Sequence, residues 1–351
     1  MEKFASDCLA AQTLANSVYF ILLITVVAII SMIGIIVQII IMKKYVICMA
    51  IHENTRILLV AHQIYLILHC VARIVAHTAD LIVFHWNYHD PCMYLSTPLR
   101  CFIIRTPITF TFYSIPCSIL VLTAERAIGT YQSAKYERMG RSLAYILIFI
   151  DIFLPAALVV FTLYGLDTFG TTKSRIYCSS VEKNNLKRGN FAAVILFLIE
   201  IGSVFLLRLL LHINMRIRQN RIEIDLSQRY QLKENITSIT TIAPLILCHS
   251  IFYSIFLLAF IIYFVIKPAF SQDGFAIFLE SGCSINASLF IIICVCAGLY
   301  GTTLPIADMC LKDFLRTCAI SGTDLEGHRG IHWHAVSNKD KPSDWKYFSE
   351  I

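Results

Sequence analysis

Charged residues are scarce in this chain of 351 residues. Asp, Glu, Lys and Arg make up only 15% of it, whereas hydrophobic residues make up 57% and mean hydropathy is +0.70. A soluble domain carries about 25% charge and cannot hide this much apolar surface around one core. The net charge of +6 is small and spread along the chain, so we expect no nucleic-acid partner. The composition predicts an integral membrane protein whose surroundings include the lipid bilayer.

Patterns typical of enzymes and metal proteins are also missing. The sequence contains no HExxH, GxSxG or P-loop and no paired CxxC, and residues 1–17 lack the features of a signal peptide. Most of the thirteen cysteines lie inside apolar runs, where they act as small hydrophobes. We therefore expect no catalytic activity, no metal site and no cofactor.

The apolar runs that are present are long enough to cross a bilayer. A helix rises 1.5 Å per residue, so crossing about 30 Å of hydrocarbon takes about 20 residues. Such runs lie at residues 18–42, 57–84, 101–127, 143–165, 191–213, 241–266 and 285–306. The short alternating strands of a membrane β-barrel are absent from the sequence. We predict an all-α membrane protein, a seven-transmembrane helix bundle at residues 18–310 between a short N-terminal head at 1–17 and a tail at 311–351.

Lysine and arginine are unequally divided between the connections on the two sides of the predicted bundle. The 1–2, 3–4 and 5–6 loops and the tail hold eighteen of them, whereas the N-terminal head and the 2–3, 4–5 and 6–7 loops hold eight. Cytoplasmic loops are the richer in these residues, so this distribution predicts an N-terminus outside and a C-terminus inside. The 4–5 loop alone, with five basic residues, favours the reverse.

A short segment after the last run has its own pattern. Residues 311–320 carry apolar residues at helical spacing, which predicts a short amphipathic helix on the inner membrane face. Cys318 in this segment is a candidate for lipidation.

Glu125 and Arg126 adjoin each other at the inner end of the third run. A carboxylate beside an arginine can form a local ion pair whose release would let the arginine reach a cytoplasmic partner. The plainer interpretation is that two charged residues end the helix at the headgroups. The pair alone leaves both open.

Cysteine spacing adds to this picture. Cys101 precedes Arg126 by 25 residues, about 37 Å of helix, which places it at the outer end of the same span. A disulfide from Cys101 to Cys178 would hold the 4–5 loop over the mouth of the bundle. Cys92 is an alternative partner for Cys178, and Cys8 is also expected outside. A third-span cysteine bonded to the next outer loop, above an acid–arginine pair, is the pattern of G-protein-coupled receptors.

Ionisable and polar side chains within the runs predict a ligand pocket in the outer half of the bundle. Such groups are costly in the bilayer and tend to face the bundle interior. The candidates are Arg73, His77 and Asp80 on one face of the second span, Arg105, Thr109 and Tyr113 of the third, Glu200 of the fifth and Tyr253 of the sixth. They would bind a small molecule, or they would pair with one another, Arg73 with Asp80 and Arg105 with Glu200. The two roles are compatible.

The chain resembles the nematode serpentine chemoreceptors of the class alpha and class AB group, class AB most closely. The stretches that carry the resemblance are HENTRILL (52–59), CMYLSTPLRCFIIRTP (92–107), AERAIGTYQSAKYE (124–137) and LSQRYQLKENI (226–236). The resemblance implies a G-protein-coupled receptor in the plasma membrane of sensory neurons, in their cilia, that detects environmental chemicals through a heterotrimeric G protein.

Two departures limit how far that resemblance reaches. Gly129 replaces the alanine expected after the Glu-Arg pair, and Tyr300 to Pro305 (YGTTLP) replaces the asparagine-proline-tyrosine run of rhodopsin-like receptors. We assign Tyr300 and Pro305 to activation together with Glu125 and Arg126. The first alternative is an odorant-gated ion channel with seven spans in the inverted orientation. A transporter would show repeat symmetry, which the sequence lacks.

Overall fold

A computed structural model describes residues 2–46, 51–86, 88–132, 136, 139–163, 175–178, 185–220 and 226–266. Within these residues the chain is helical, apart from one isolated β-bridge. The helices are α1 (Glu2–Ala15), α2 (Val18–Ile41), α3 (Glu53–His85), α4 (Pro98–Tyr131), α5 (Ser142–Leu163), α6 (Leu186–Asn220) and α7 (Leu226–Ile266), with a π-helical turn at Met42–Val46 and a 3-10 turn at Pro91–Tyr94.

Five of these helices are long and apolar enough to cross a membrane, namely α2 to α6. They coincide with the first five predicted spans and extend some of them by a turn or more at the polar ends. The sixth predicted span lies in α7, whose described apolar stretch is His249–Ala259. The seventh predicted span and the predicted inner-face helix lie outside the described residues. The described helices agree with the prediction of an all-α membrane protein.

Local side-chain caps explain where two of the helices begin. The Ser17 hydroxyl accepts a hydrogen bond from the Phe20 amide at the start of α2. The Thr97 hydroxyl accepts one from the Arg100 amide at 3.3 Å, and Pro98 occupies the first position of α4. Such caps satisfy amides that have no partner within the helix. The cap on α4 fixes that helix to begin three residues before Cys101.

Helix α4 lies at the centre of the bundle. It packs against α3, α5, α6 and α7, and 67% of its most apolar window is buried, the largest share among the five helices. Leu58, Ile119, Leu122, Leu210 and Ile239 form the heart of a buried cluster that joins α3, α4, α6 and α7. Side chains on α4 can therefore contact most of the other helices.

Two disulfides and a β-bridge close one end of the bundle, which we call the disulfide end. Cys8 of α1 is bonded to Cys92, and Cys101 at the start of α4 is bonded to Cys178. The backbones of Ser96 and Arg175 exchange two hydrogen bonds of 2.9 Å. The structure therefore pairs Cys178 with Cys101 and gives Cys92 a different partner.

The N-terminal head is a helix, which the sequence did not reveal because residues 2–15 are short and only weakly apolar. Its buried residues Cys8, Ala11, Leu14 and Ala15 are spaced three or four apart, so they lie on one face. Ala11 and Ala15 pack against Tyr94. The disulfide and this packing together hold α1 on the disulfide end.

The disulfide pairing makes a direct prediction. In the Cys178→Ser variant, Cys101 becomes a free thiol and reacts with a maleimide in denaturant without reductant, whereas Cys92 stays protected by Cys8. Peptide mass mapping of the labelled receptor distinguishes the two sites. Labelling of Cys92 in place of Cys101 would contradict the pairing. The lost link closes a long loop (77 residues of separation), and such links contribute up to about 4 kcal/mol to stability, so the variant should also unfold at a lower temperature.

Candidate functional site

A buried ion pair lies beneath the disulfide end. A guanidinium nitrogen of Arg105 on α4 donates to Asp80 Oδ2 on α3 at 2.8 Å, and both side chains are buried. Arg100 approaches the other oxygen of Asp80 at 3.8 Å and donates to the Ala79 carbonyl at 3.0 Å. Two cations therefore surround the Asp80 carboxylate.

The segment next to the second disulfide covers this ion pair. The Tyr177 hydroxyl accepts a hydrogen bond from Arg105, and its ring centroid lies 4.8 Å from the guanidinium carbon. Phe20 of α2 packs edge-on against the same ring at 5.3 Å. Because Tyr177 adjoins Cys178, the disulfide positions the tyrosine that covers Arg105.

Arg73 and His77 lie deeper on the same face of α3 as Asp80, two turns and one turn further from the disulfide end, respectively. Both are buried, with 2% and 0% of their surface exposed. Thr109 lies one turn below Arg105 on α4, and its hydroxyl donates to the Arg105 carbonyl at 3.0 Å. These residues of the predicted pocket therefore occupy the two facing helices α3 and α4.

A group of aromatic residues lies below them, near the middle of the bundle. Tyr113 of α4 lies 3.2 Å from the Thr162 hydroxyl of α5. Tyr253 of α7 stacks on Phe112, with 5.0 Å between ring centroids, and its hydroxyl donates to the Phe112 carbonyl at 2.6 Å. Pro116 has no amide hydrogen to donate to that carbonyl, four residues earlier. Tyr253 therefore supplies from α7 the hydrogen bond that α4 lacks.

Glu200 of α6 belongs to this central group and not to the arginines above it. Its carboxylate accepts a hydrogen bond from Ser250 at 2.5 Å and lies 3.4 Å from His249 Nδ1, both on α7. The His249 ring stacks on Tyr253 at 5.4 Å and meets the His62 ring of α3 edge-on at 6.0 Å. Arg105 pairs with Asp80, so the alternative pairing of Arg105 with Glu200 does not form.

At the opposite end of the bundle, Glu125 and Arg126 form a buried ion pair. Arg126 Nε donates to Glu125 Oε2 at 2.6 Å, and a second guanidinium nitrogen donates to Oε1. The Thr55 hydroxyl of α3 donates to the same carboxylate at 3.1 Å. Glu125 and Arg126 expose 0% and 2% of their surface. They do not end the helix at a solvated surface, as the plainer interpretation held.

Tyr136, from the connection after α4, closes over this pair. It is buried, its hydroxyl donates to Glu125, and Arg126 donates to its oxygen at 3.0 Å. The His52 ring, just before α3, lies 4.4 Å from the Tyr136 ring. Burial lowers the pKa of His52, and the nearby Arg126 charge adds to this. Neutral His52 can accept a hydrogen bond from the Asn54 amide at Nδ1, where the distance is 3.3 Å.

Helices α6 and α7 join the same group through two asparagines. Asn235 Oδ1 of α7 accepts from Arg126 at 2.9 Å, and its amide nitrogen donates to Thr130 at 2.9 Å. Asn214 of α6 donates to the same Thr130 hydroxyl at 2.9 Å. An alanine methyl at Gly129 would lie 3.4 Å from Asn235 Oδ1, an ordinary contact. We call Thr55, Glu125, Arg126, Tyr136 and Asn235 the Arg126 network.

Sequence reasoning missed several of these buried partners. Tyr136, Asn235 and Thr55 all lie within stretches quoted above for the family resemblance, which was the one available signal. Asp151 of α5, 1% exposed and hydrogen-bonded to Tyr65, was also missed, although an acid in an otherwise apolar run is itself a signal for a group that faces the bundle interior.

Some sequence-derived assignments cannot be placed in this geometry. Tyr300, Pro305 and Cys318 lie outside the described residues. Within the part of the chain that the structure describes, no three His, Cys, Asp or Glu side chains are arranged to hold a metal ion.

Comparison with known proteins identifies relatives of the chain. The model of a family described as "Serpentine type 7TM GPCR receptor class ab chemoreceptor" matches residues 5–299. The Caenorhabditis elegans protein named serpentine receptor class alpha/beta-14 is 27% identical over 214 residues, which cover 57% of this chain and 51% of that protein. The aligned region thus spans about half the length of that relative. The family match includes both the Arg105–Asp80 pair and the Arg126 network.

The Arg105–Asp80 pair makes a prediction about stability. In Asp80→Asn, Arg105 stays buried without its counter-charge, and breaking a buried pair in this way costs about 3–5 kcal/mol. We expect a clearly lower unfolding temperature in detergent, with partial recovery in the double variant Asp80→Asn/Arg105→Gln. Glu53→Gln is the matched control, because it removes an acid whose pair with Arg141 is exposed and contributes little. An unchanged unfolding temperature for Asp80→Asn would show that the pair is not structural.

Proposed function

Because the chain belongs to the serpentine class ab chemoreceptors, we propose that it binds a small environmental chemical and activates a heterotrimeric G protein. The observation that carries this proposal is the Arg126 network. Arg126 is held there by Glu125 of the same helix, by Tyr136 from the connection after α4 and by Asn235 of α7, while Thr55 of α3 holds Glu125. Two of the restraints on Arg126 come from segments outside α4, so a movement of those segments against α4 would break them.

The contacts of Arg126 differ in how a helix movement would affect them. The contact with Glu125 lies within α4, so it survives any displacement of α4 against its neighbours. The contacts with Asn235 and Tyr136 join α4 to α7 and to the following connection, and they would break if those segments moved away. Release of these two contacts would expose the Arg126 side chain to a partner. The restrained and released forms of Arg126 are two states whose populations a ligand can shift.

The ligand would bind among the predicted pocket residues of the disulfide-end half. Arg73, His77, Asp80, Arg105 and Thr109 supply charge and hydrogen bonds, and Tyr113, Glu200 and Tyr253 supply an aromatic and acidic floor. Tyr253 links this half of the bundle to the other end. Its hydroxyl bonds α7 to the Phe112 carbonyl of α4, which Pro116 leaves without a backbone donor. Asn235 lies 18 residues earlier on the same helix, about 27 Å away. A ligand that shifts Tyr253 therefore acts on the helix that restrains Arg126.

We propose seven spans, with the disulfide end outside the cell and the Arg126 network facing the cytoplasm. Disulfides persist in oxidising compartments and are rare in the cytosol, and both disulfides lie at the end opposite the network. The Lys and Arg distribution supports the same orientation. The plasma membrane of sensory cilia, the roles of Tyr300 and Pro305 in activation, and the lipidation of Cys318 belong to this proposal.

The odorant-gated channel is the second candidate, and it differs in orientation. In the inverted topology, the bonds Cys8–Cys92 and Cys101–Cys178 would face the reducing cytosol, and the Arg126 network would face the exterior. The disulfides therefore favour the receptor over the channel. The five basic residues of the 4–5 loop favour the inverted orientation, but they are outnumbered by the basic residues of the opposite connections.

Substitutions of Arg126 and of Tyr136 should change nucleotide exchange in opposite directions. With purified receptor and G-protein heterotrimer in lipid nanodiscs, Arg126→Ala should lower nucleotide exchange, because the residue that contacts the G protein is lost. Tyr136→Phe should raise ligand-free exchange by about tenfold, since a hydrogen bond to a charged group contributes about 1.5–3 kcal/mol to the resting state. The double variant should behave as Arg126→Ala does.

The matched control for this experiment is Arg141→Ala. Arg141 pairs with Glu53 on the exposed surface of the same end, with 64% of its side chain accessible. Its removal changes the same charge without touching the Arg126 network, so exchange should stay near the wild-type rate. Undiminished exchange in Arg126→Ala would show that this residue does not act in coupling.

A further inference from the structure

A groove of about 530 Å³ runs along the outside of the bundle between α5 and α6. It is lined by Phe153, Ala156, Ala157, Val160 and Phe161 of α5 and by Arg188 of α6. None of these residues belongs to the ligand pocket or to the Arg126 network. Phe153 and Val160 are 64% and 66% exposed, so the groove opens towards the surroundings of the bundle, which in a membrane are lipid.

The sequence of α5 explains the shape of the groove. Ala156 and Ala157 are small and adjoin each other, while Phe153 and Phe161 rise on either side of them. Phe161 packs edge-on against Phe191 of α6, with 5.9 Å between ring centroids, which closes one end. The two alanines therefore leave a trough between Phe153 on one side and Val160 and Phe161 on the other.

A hydrogen bond fixes the charged end of the groove. The buried Asn185 amide donates to the Thr162 carbonyl at 3.2 Å and so ties the start of α6 to the far end of α5. Arg188 lies in the first turn of α6, at the level where that span enters the headgroup region. The apolar residues 153–161 extend about 12 Å from there, which is close to the hydrocarbon depth of one leaflet, about 15 Å.

We propose that this groove binds one phospholipid, with an acyl chain against Ala156 and Ala157 and the phosphate on Arg188. An arginine guanidinium suits a phosphate because its planar donors match the phosphate oxygens in a two-pronged, charge-assisted contact. The volume lies within the range of about 300–1,000 Å³ found for pockets that hold small molecules. The proposal requires insertion in a membrane and does not depend on the proposed signalling function.

A second copy of the receptor would fit the groove less well. Lipid-facing residues of α5 near the groove are apolar, among them Ile146, Phe149, Ile150 and Ile152. If a copy of this surface covered the groove, it would place only apolar side chains beside Arg188, whose guanidinium donors suit a phosphate. A phospholipid presents a charged phosphate and an apolar chain together, so it matches both ends of the groove.

The test uses the full-length receptor in phosphatidylcholine nanodiscs doped with a phospholipid that carries a photoreactive diazirine on one acyl chain. After illumination, mass mapping of the wild-type protein should find the label concentrated on residues 153–161. Arg188→Gln should reduce labelling there about tenfold, because the charge-assisted contact of the guanidinium with the phosphate is lost. Ala157→Phe should abolish it, because the added ring fills the trough.

Matched controls separate the groove from the general lipid surface. Lys187→Gln removes the same charge at the exposed neighbouring residue. Ile150→Phe adds a ring to α5 outside the groove. In both variants, labelling of residues 153–161 should stay near the wild-type level. Equal labelling along the whole of α5, or loss of label in the controls as great as in Arg188→Gln and Ala157→Phe, would overturn the proposal. Receptor-to-receptor crosslinks at the groove without lipid label would also overturn it and assign the groove to a second copy.

Discussion

A guanidinium buried in a membrane protein needs a counter-charge and a full set of acceptors, and Arg126 obtains them from Glu125, Tyr136 and Asn235. Its neutralising carboxylate is the preceding residue of the same helix, so the charge stays paired wherever α4 moves. The other two contacts come from separate segments and can be exchanged for contacts with a partner. This division between a permanent counter-charge and removable restraints makes a buried arginine usable as a switch.

The disulfide end solves a similar problem in a more rigid way. Arg105 is neutralised by Asp80 on the neighbouring helix and covered by Tyr177, which the Cys101–Cys178 bond holds in place. Helix α4 carries both arginines, 21 residues apart, which corresponds to about 32 Å. Pro116 lies between them, and its missing hydrogen bond is supplied by Tyr253 of α7. The two ends are therefore joined by α4 and α7, which contact each other through Arg126–Asn235 at one end and through Phe112–Tyr253 nearer the middle.

Features that depend on local sequence could be predicted, and features that depend on distant pairing could not. Hydropathy located the first five spans because about 20 consecutive residues decide each one. Glu125 and Arg126 could be identified as a candidate pair because they are adjacent in the sequence. Asn235 lies 109 residues from Arg126, and no periodicity links them. For the same reason the sequence left the partners of Arg105 and Glu200 open. The helix α1 was missed because its stabilising partners, Cys92 and Tyr94, lie far along the chain.

The proposed receptor mechanism requires the Arg126 network to face the cytoplasm and the disulfides to face the exterior. The most direct measurement places one epitope tag before residue 1 and another after residue 351, and stains intact and permeabilised cells that express the receptor. In the proposed orientation, the N-terminal tag is stained on intact cells and the C-terminal tag is stained only after permeabilisation. Staining of the C-terminal tag alone on intact cells would contradict it and favour the inverted channel.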